Sequence, residues 1–453
     1  MNKYFGTDGF RGEAGVELTA SAAFKTGRYL GYYLKERSKK NGEKPRIAIG
    51  KDTRISSYML EYSIAAGLAA SGADVYMLHV TTTPSVSYVV LTDGFDCGVM
   101  ITASHNPYYD NGIKIIDSRG EKLKDEVAAL IEAYIDGKCD EIPLARGEDI
   151  GKIHDHYSGR NRYIGYLISL ASNSYKGLRI GIDSANGAAF AISRSVFSAL
   201  GAEIHTIGDE PNGINVNDEC GSTHPERLAA LVKEKGLDIG FAFDGDADRC
   251  IAIDNKGNII DGDKILYVLG RRLKRLGMLS DSRVIATVMS NGGFVKSAEE
   301  IGIKVELTQV GDRFVYERMQ ELGSVLGGEQ SGHVIIRKYA TTGDGILTAI
   351  MLTEELCDTK STLSELVKGV RLFPQKSTGV RVKNKRTATE DKAIIELIEE
   401  IREELLPCGR LLFRESGTEP KIRIMIEAES IDLCDRCINR VLHLLRERGH
   451  INE

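Results

Sequence analysis

At 453 residues, with 42% hydrophobic and 27% charged residues, the chain has an ordinary globular make-up and is too long for one compact core, so two to four domains are expected. A net charge of −6 excludes a broad nucleic-acid footprint, which needs a basic face, and no apolar run reaches membrane-span length. The first eight residues carry no apolar signal core, so the expected location is the cytoplasm, with neither nucleic acid nor membrane as partner. The eight cysteines are scattered, and the single CxxC, Cys434 with Cys437, has no partner pair nearby; reduced structural thiols are expected.

In chain order, short apolar runs alternate with helix-patterned segments. Strands are expected at 46–50, 74–78 and 98–101, with helices at 58–70 and 84–91. The pattern restarts with a strand at 178–182, a helix at 188–200, a strand at 203–207, a helix at 225–235 and a strand at 239–243. A third block follows: strand 283–287, helix 293–300, strand 304–308 and a helix at 314–322. After Val370 the alternation stops. Pro374 and the charged run 383–386 read as a linker and first strand, followed by a long helix at 389–406, strands at 411–413 and 422–426, and a terminal helix at 431–448. The expected architecture is three consecutive α/β domains with mixed, mainly parallel sheets, at 1–150, 151–254 and 255–368, plus a smaller C-terminal α+β domain at 369–453.

Five loops carry chemistry. Residues 102–114, Thr-Ala-Ser-His-Asn-Pro-Tyr-Tyr-Asp-Asn-Gly-Ile-Lys, follow the strand at 98–101 and present Ser104 on a turn-rich loop at the carboxyl end of a strand, where open α/β sheets bind ligands. Residues 244–249, Asp-Gly-Asp-Ala-Asp-Arg, also follow a strand. Three alternating carboxylates suit a hard divalent cation, and an EF-hand is excluded because Arg249 and Asn255 occupy its glycine and glutamate positions. Magnesium needs few protein carboxylates beside phosphate oxygens, so this loop could complete a site with a phosphorylated Ser104. Residues 327–333, Gly-Gly-Glu-Gln-Ser-Gly-His, suit hydrogen bonding to a polyhydroxylated ligand. Residues 414–420, Arg-Glu-Ser-Gly-Thr-Glu-Pro, and the glycine-rich stretch 5–12 around Arg11 could each approach a phosphate closely.

These five segments, in this order, resemble the α-D-phosphohexomutase family along essentially the whole chain. The wording of residues 328–333, 310–313 and 103–114 is nearest to family members that act on glucosamine phosphate. Ala247, where glycine is usual, and Glu415, where proline or alanine is more typical, are small departures. The resemblance implies a phosphoserine at Ser104 that exchanges its phosphoryl group with a sugar hydroxyl through a bisphosphate intermediate. It implies Mg²⁺ held by the Ser104 phosphate with Asp244, Asp246 and Asp248, and a hexosamine 1,6-bisphosphate or equivalent to prime the serine. Lys114 would assist proton transfer with Arg11 and His105 nearby, and Arg249 would lie beside the phosphoserine. Glu329, Ser331, His333, Gly311 and Asp312 would bind sugar, while Arg414, Ser416, Gly417 and Thr418 would hold the phosphate that is not moving. The partner is a small sugar phosphate, and the protein a monomer or homodimer. Rivals are a family member acting on mannose or glucose phosphate, a metal-dependent phosphatase and a non-catalytic sugar-phosphate sensor.

Overall fold

The computed structural model describes residues 4–6, 9–38, 43–406, 409–415 and 421–451. Among these, the strands form four sheets. The first has seven strands, in the order Phe5–Gly6, Gly9–Glu13, Asp110–Asp117, Cys97–Ile101, Arg46–Lys51, Asp74–Val80, Ile153–Asp155. The strand Arg46–Lys51 runs parallel to both of its neighbours, while Asp110–Asp117 runs antiparallel to Cys97–Ile101 and to Gly9–Glu13. The second sheet orders five strands as Ile259–Ile260, Cys250–Asp254, Ile239–Phe243, Arg179–Asp183, Glu203–Ile207. The third orders four as Lys304–Thr308, Arg283–Thr287, Leu326–Gly328, Val334–Ile336. These three sheets are mixed and flanked by helices. The fourth is a three-stranded antiparallel sheet in the order Gln375–Arg381, Lys421–Glu427, Arg410–Glu415, covered by the helices Lys392–Leu405 and Ile431–Glu447.

The strands that feed the chemical loops are the most deeply buried. Every residue of Cys97–Ile101 and of Ile239–Phe243 is buried, which is why both read as continuous apolar runs rather than alternating ones. Burying a side chain such as Val99 or Ile101 is worth roughly 1.5–3 kcal/mol, so the base of the Ser104 loop is held by apolar packing. On one face of the first sheet, the helices Ala20–Ser38 and Ile55–Ala70 meet with almost no separation: a Cβ on Gly67 would lie 2.2 Å from the Phe24 carbonyl oxygen. The helix Thr83–Asp93 starts where expected, with the Thr82 hydroxyl accepting from Ser85 N–H and Pro84 in the first turn, and it ends at Gly94 in the left-handed region.

The chain divides into two compact units, Met1–Val288 with Val305–Val367, and Met289–Lys304 with Lys368–Glu453. The helix Gly292–Glu300 thus belongs to the second unit. There the Asn291 side chain donates to the Phe373 carbonyl and accepts from Phe373 N–H, both at 2.9 Å, and Gly292 N–H donates to Glu427.

One expected element is corrected. The charged run 383–386 is not a strand: the first strand of the last sheet is Gln375–Arg381, and Asn384 caps a short helix, Lys385–Thr389, by accepting from Arg386 and Thr387 N–H groups. Asp391 caps a separate helix, so the long helix begins at Lys392 rather than at residue 389. Asn and Asp are strong N-caps, and the strand was obscured because most of its side chains are exposed and alternate weakly. Cys434 and Cys437 are buried free thiols on the terminal helix. Among the described residues no helix is long and apolar enough to cross a membrane.

Candidate active site

Ser104 sits at the turn leaving Cys97–Ile101, nearly inaccessible at 1% exposure and with φ of +52°. Its N–H donates to Thr102 Oγ1 at 2.9 Å, and its hydroxyl donates to Asp244 Oδ2 at 2.5 Å. Asp244, Asp246 and Asp248 occupy the turn between the antiparallel strands Ile239–Phe243 and Cys250–Asp254, so the chain reversal gathers their carboxylates, with one oxygen of each within 4.8 Å of the others. Ala247 holds φ of +55° in that turn, which accounts physically for glycine being usual there. Gly245 is required by contact: a Cβ there would lie 2.5 Å from the Ser104 carbonyl oxygen.

Three buried carboxylates repel one another. Burial, then the charges of Asp248 and Asp246, push Asp244 up to about 8. Asp248 is held well below the usual carboxylate range even against burial, because Lys114 and then His333 stabilise its charge. Asp246 Oδ1 is buried without a hydrogen-bond partner among the described residues. An all-oxygen set, a lone pair left unused and mutual repulsion together fit a hard divalent cation.

Lys114 projects from Asp110–Asp117, opposite Met100 of the neighbouring strand, and its ammonium donates to Asp246 Oδ2 at 2.8 Å and Asp248 Oδ2 at 3.1 Å. Arg11 lies on the next strand, opposite Gly112, and donates to the Ala103 carbonyl at 3.4 Å. Burial, then the charges of Arg249 and Arg11, push the His105 imidazole down to about 3, so this ring is neutral at physiological pH. Arg249 closes the metal loop through its N–H to Asp244 Oδ1, at 3.2 Å, and its backbone bridges His333.

That bridge brings in the third sheet. The turn between Leu326–Gly328 and Val334–Ile336 carries Glu329, Gln330, Ser331 and His333, with Ser331 exposed and His333 buried. Glu329 Oε1 accepts from Gly311 N–H at 3.1 Å, and burial raises its carboxyl. His333 Nε2 accepts from Gly343 N–H at 3.1 Å, leaving Nδ1 facing Asp248 Oδ1 at 3.7 Å, with Asp312 Oδ2 3.6 Å from Nε2. Asp312 also pairs with Lys122 at 2.7 Å. Gly311 and Asp312 therefore share one wall with Glu329 and His333.

Arg414 stands in the second unit, directly across the antiparallel pair from Arg423. Burial, then the Arg423 charge, lowers the Arg414 guanidinium. Like charges opposite each other are unfavourable, and an anion would relieve them. A cavity of about 320 Å³ lined by Arg414, Lys421, Arg423 and Thr378 lies against this pair. Ser416, Gly417 and Thr418 lie outside the described residues.

Sequence reasoning missed four polar residues beneath the site. Thr83 donates to Asp246 Oδ2, Asn217 donates to the Ser104 carbonyl at 2.8 Å, and Asp52 and Arg54 underlie the Ser104 loop. The only signal was the polar run 52–54 directly after a buried strand.

This fold and the order of its loops define a class. The chain belongs to the α-D-phosphohexomutase family: it matches the phosphoglucomutase/phosphomannomutase alpha/beta/alpha domains I, II and III over residues 2–140, 161–257 and 261–373, and the family's C-terminal domain over 378–444. Within that family it groups with phosphoglucosamine mutases. It is 53% identical to the one from Lachnospira eligens, covering 99% of this chain and 100% of the relative, and 47% identical to the one from Anoxybacillus flavithermus, covering 99% of each. Solved structures share the fold. A phosphoglucomutase/phosphomannomutase family protein from Burkholderia thailandensis superposes with a TM-score of 0.79 at 24% identity, over 99% of this chain and 98% of that one. Aspergillus fumigatus N-acetylphosphoglucosamine mutase, in complex with GlcNAc-6P and magnesium, gives 0.72 at 19% identity, over 99% and 96%.

Proposed function

We propose that this chain is a phosphoglucosamine mutase, interconverting glucosamine 6-phosphate and glucosamine 1-phosphate through a phosphoserine at Ser104 and a hexosamine 1,6-bisphosphate. The observation that carries the reading is the Ser104 hydroxyl seated on Asp244 inside the three-aspartate cluster, with Lys114 bonded to the other two carboxylates.

In the first half-reaction the bond from phosphorus to Ser104 Oγ breaks, a bond from phosphorus to the sugar oxygen forms, and the sugar hydroxyl proton ends on Ser104 Oγ, relayed by Lys114 acting as the neutral amine. The second half runs in reverse with the other sugar oxygen, so the serine is phosphorylated again. Such a transfer demands positioning and charge neutralisation above all. Asp244, Asp246 and Asp248, with the phosphate on Ser104, would hold Mg²⁺, which supplies neutralisation of the charge on the moving group. Neutral His105, with Arg11 and Arg249, lines the phosphoryl side. Glu329, Ser331 and His333, with Gly311 and Asp312, grip sugar hydroxyls, and Arg414, Ser416, Gly417 and Thr418 hold the phosphate at rest. A hexosamine 1,6-bisphosphate primes the serine. On this reading the four domains run 1–150, 151–254, 255–368 and 369–453, and the protein works in the cytoplasm as a monomer or homodimer.

A coupled assay comparing kcat/KM on glucosamine, glucose and mannose 6-phosphates tests the reading. The glucosamine ester is expected to lead; faster turnover of mannose or glucose 6-phosphate would overturn the substrate, and phosphate release without isomer would overturn the mutase.

A further inference from the structure

Arg54 is completely buried, out of reach of any ligand, yet the five N–H groups of its guanidinium find five acceptors. Nε donates to Asp52 Oδ2 at 2.8 Å. Nη2 donates to the carbonyls of Ser104, at 2.9 Å, and Asn106, at 2.8 Å. Nη1 donates to the carbonyl of Asp110, at 3.0 Å, and to that of Pro107. Four of the five acceptors are thus main-chain oxygens of the one loop that carries Ser104. A buried cation needs a counter-ion, and Asp52 provides it; satisfying the charge does not require four carbonyls from a single loop.

Asp52 acts on the other side of the serine. Its Oδ2 accepts from the Thr102 hydroxyl at 2.7 Å, and Thr102 Oγ1 accepts in turn from Ser104 N–H at 2.9 Å. Ser104 is therefore held at its N–H through Thr102 and at its carbonyl by Arg54. A second, independent grip comes from the second sheet's domain: Asn217 Nδ2 donates to the same Ser104 carbonyl at 2.8 Å and to Asn106 at 3.1 Å. Between these grips Ser104 keeps φ of +52°, a conformation that residues other than glycine hold only where the surroundings impose it.

We propose that Arg54, anchored by Asp52 and assisted by Asn217, is the positioning residue for phosphoryl transfer, fixing Ser104 in the left-handed conformation that aims its Oγ at Asp244. The proposal rests on the reading of Ser104 as the phosphoryl carrier. It assigns Arg54 no contact with substrate. Lysine cannot replace it, because an ammonium has three donors on a flexible stem where the guanidinium presents five in a plane.

The test uses the full-length enzyme with Mg²⁺ and three measurements on R54K: steady-state kinetics, phosphorylation of Ser104 by glucose 1,6-bisphosphate followed by intact mass, and thermal unfolding. Misplacing a reacting oxygen by an ångström costs about 100-fold, so kcat and the phosphorylation rate should both fall by that order while KM holds. N217A, which removes one of two grips and leaves the Arg54 charge paired, should lower the same two rates by a smaller factor. A folded R54K with unchanged kcat, or with the whole loss in KM, overturns the proposal. If R54K does not fold, an unchanged kcat in N217A overturns it. Failure of the underlying reading looks different: wild-type enzyme that turns over without ever carrying phosphate on Ser104.

Discussion

The Ser104 hydroxyl donates to Asp244 at 2.5 Å across 140 positions of sequence, joining a turn of the first sheet to a turn of the second. Both turns leave fully buried strands, so apolar packing sets the base of each turn, while hydrogen bonds to its own backbone hold the serine. The serine oxygen, where a phosphoryl group would reside, thereby lies beside a cluster of three carboxylates that could hold a divalent cation.

Removal of metal should abolish turnover. Protein treated with EDTA is expected to lose mutase activity and regain it with added Mg²⁺. Asp246→Asn is expected to weaken Mg²⁺ binding by more than the roughly 10–100-fold that outer-shell changes cause, since it alters a proposed ligand itself. Titration calorimetry checks this; an unchanged dissociation constant would place the ion elsewhere.

Lys114→Arg keeps a cation against Asp246 and Asp248 but moves the nitrogen proposed to relay the proton. Metal binding and fold are expected to persist while kcat falls by about 10²–10⁴-fold, the usual share of a positioned acid or base. Lys114→Met should be less stable as well, because it strands two buried carboxylates. Wild-type kcat in the arginine variant would remove Lys114 from proton transfer.

Arg414→Ala should act mainly on binding. Losing a charged hydrogen bond worth about 1.5–3 kcal/mol is expected to raise KM for the sugar phosphate tenfold or more, with a smaller change in kcat. The variant should also relieve the Arg414–Arg423 repulsion and so leave the melting temperature unchanged or raised. A KM equal to wild type would contradict the assignment.

Asp344 gives a test on stability. It is buried, caps the helix Gly345–Thr359 through Leu347 N–H and accepts from the Tyr163 hydroxyl at 2.7 Å; burial pushes it up to about 6. The folded protein thus binds this proton more tightly than the unfolded chain. Its stabilising effect is complete below the ordinary carboxylate value and is lost as pH rises through about 6, a swing of about 3 kcal/mol. In urea titrations between pH 4 and 7, wild type should lose stability relative to Asp344→Asn as pH rises. Parallel profiles for the two proteins would contradict it.

Much of the fold was legible because the buried strands and the helix caps announce themselves. Cys97–Ile101, Ile239–Phe243 and the 47–50 segment of Arg46–Lys51 are continuous apolar runs, and Pro84 and Gly94 bracket a helix. The strand Asp110–Asp117 was hidden, because it begins inside the chemical loop with turn residues and pairs antiparallel at its register with Gly9–Glu13. The ordered loops revealed the reacting groups, since three alternating aspartates and a serine after a strand have local signatures. Asn217 had none, and Arg54 only its place in the polar run 52–54: they bond to carbonyl oxygens 50 to 113 positions away, and main-chain acceptors leave no trace in side-chain identity.

The most direct test of the account is the mass of the peptide spanning residues 102–114 from active enzyme, before and after exposure to substrate, alongside Ser104→Ala. The account predicts a phosphate on Ser104 that exchanges with the sugar, and a folded Ser104→Ala protein without mutase activity. Active enzyme that never carries phosphate on Ser104, or an alanine variant with near-normal kcat, would contradict it.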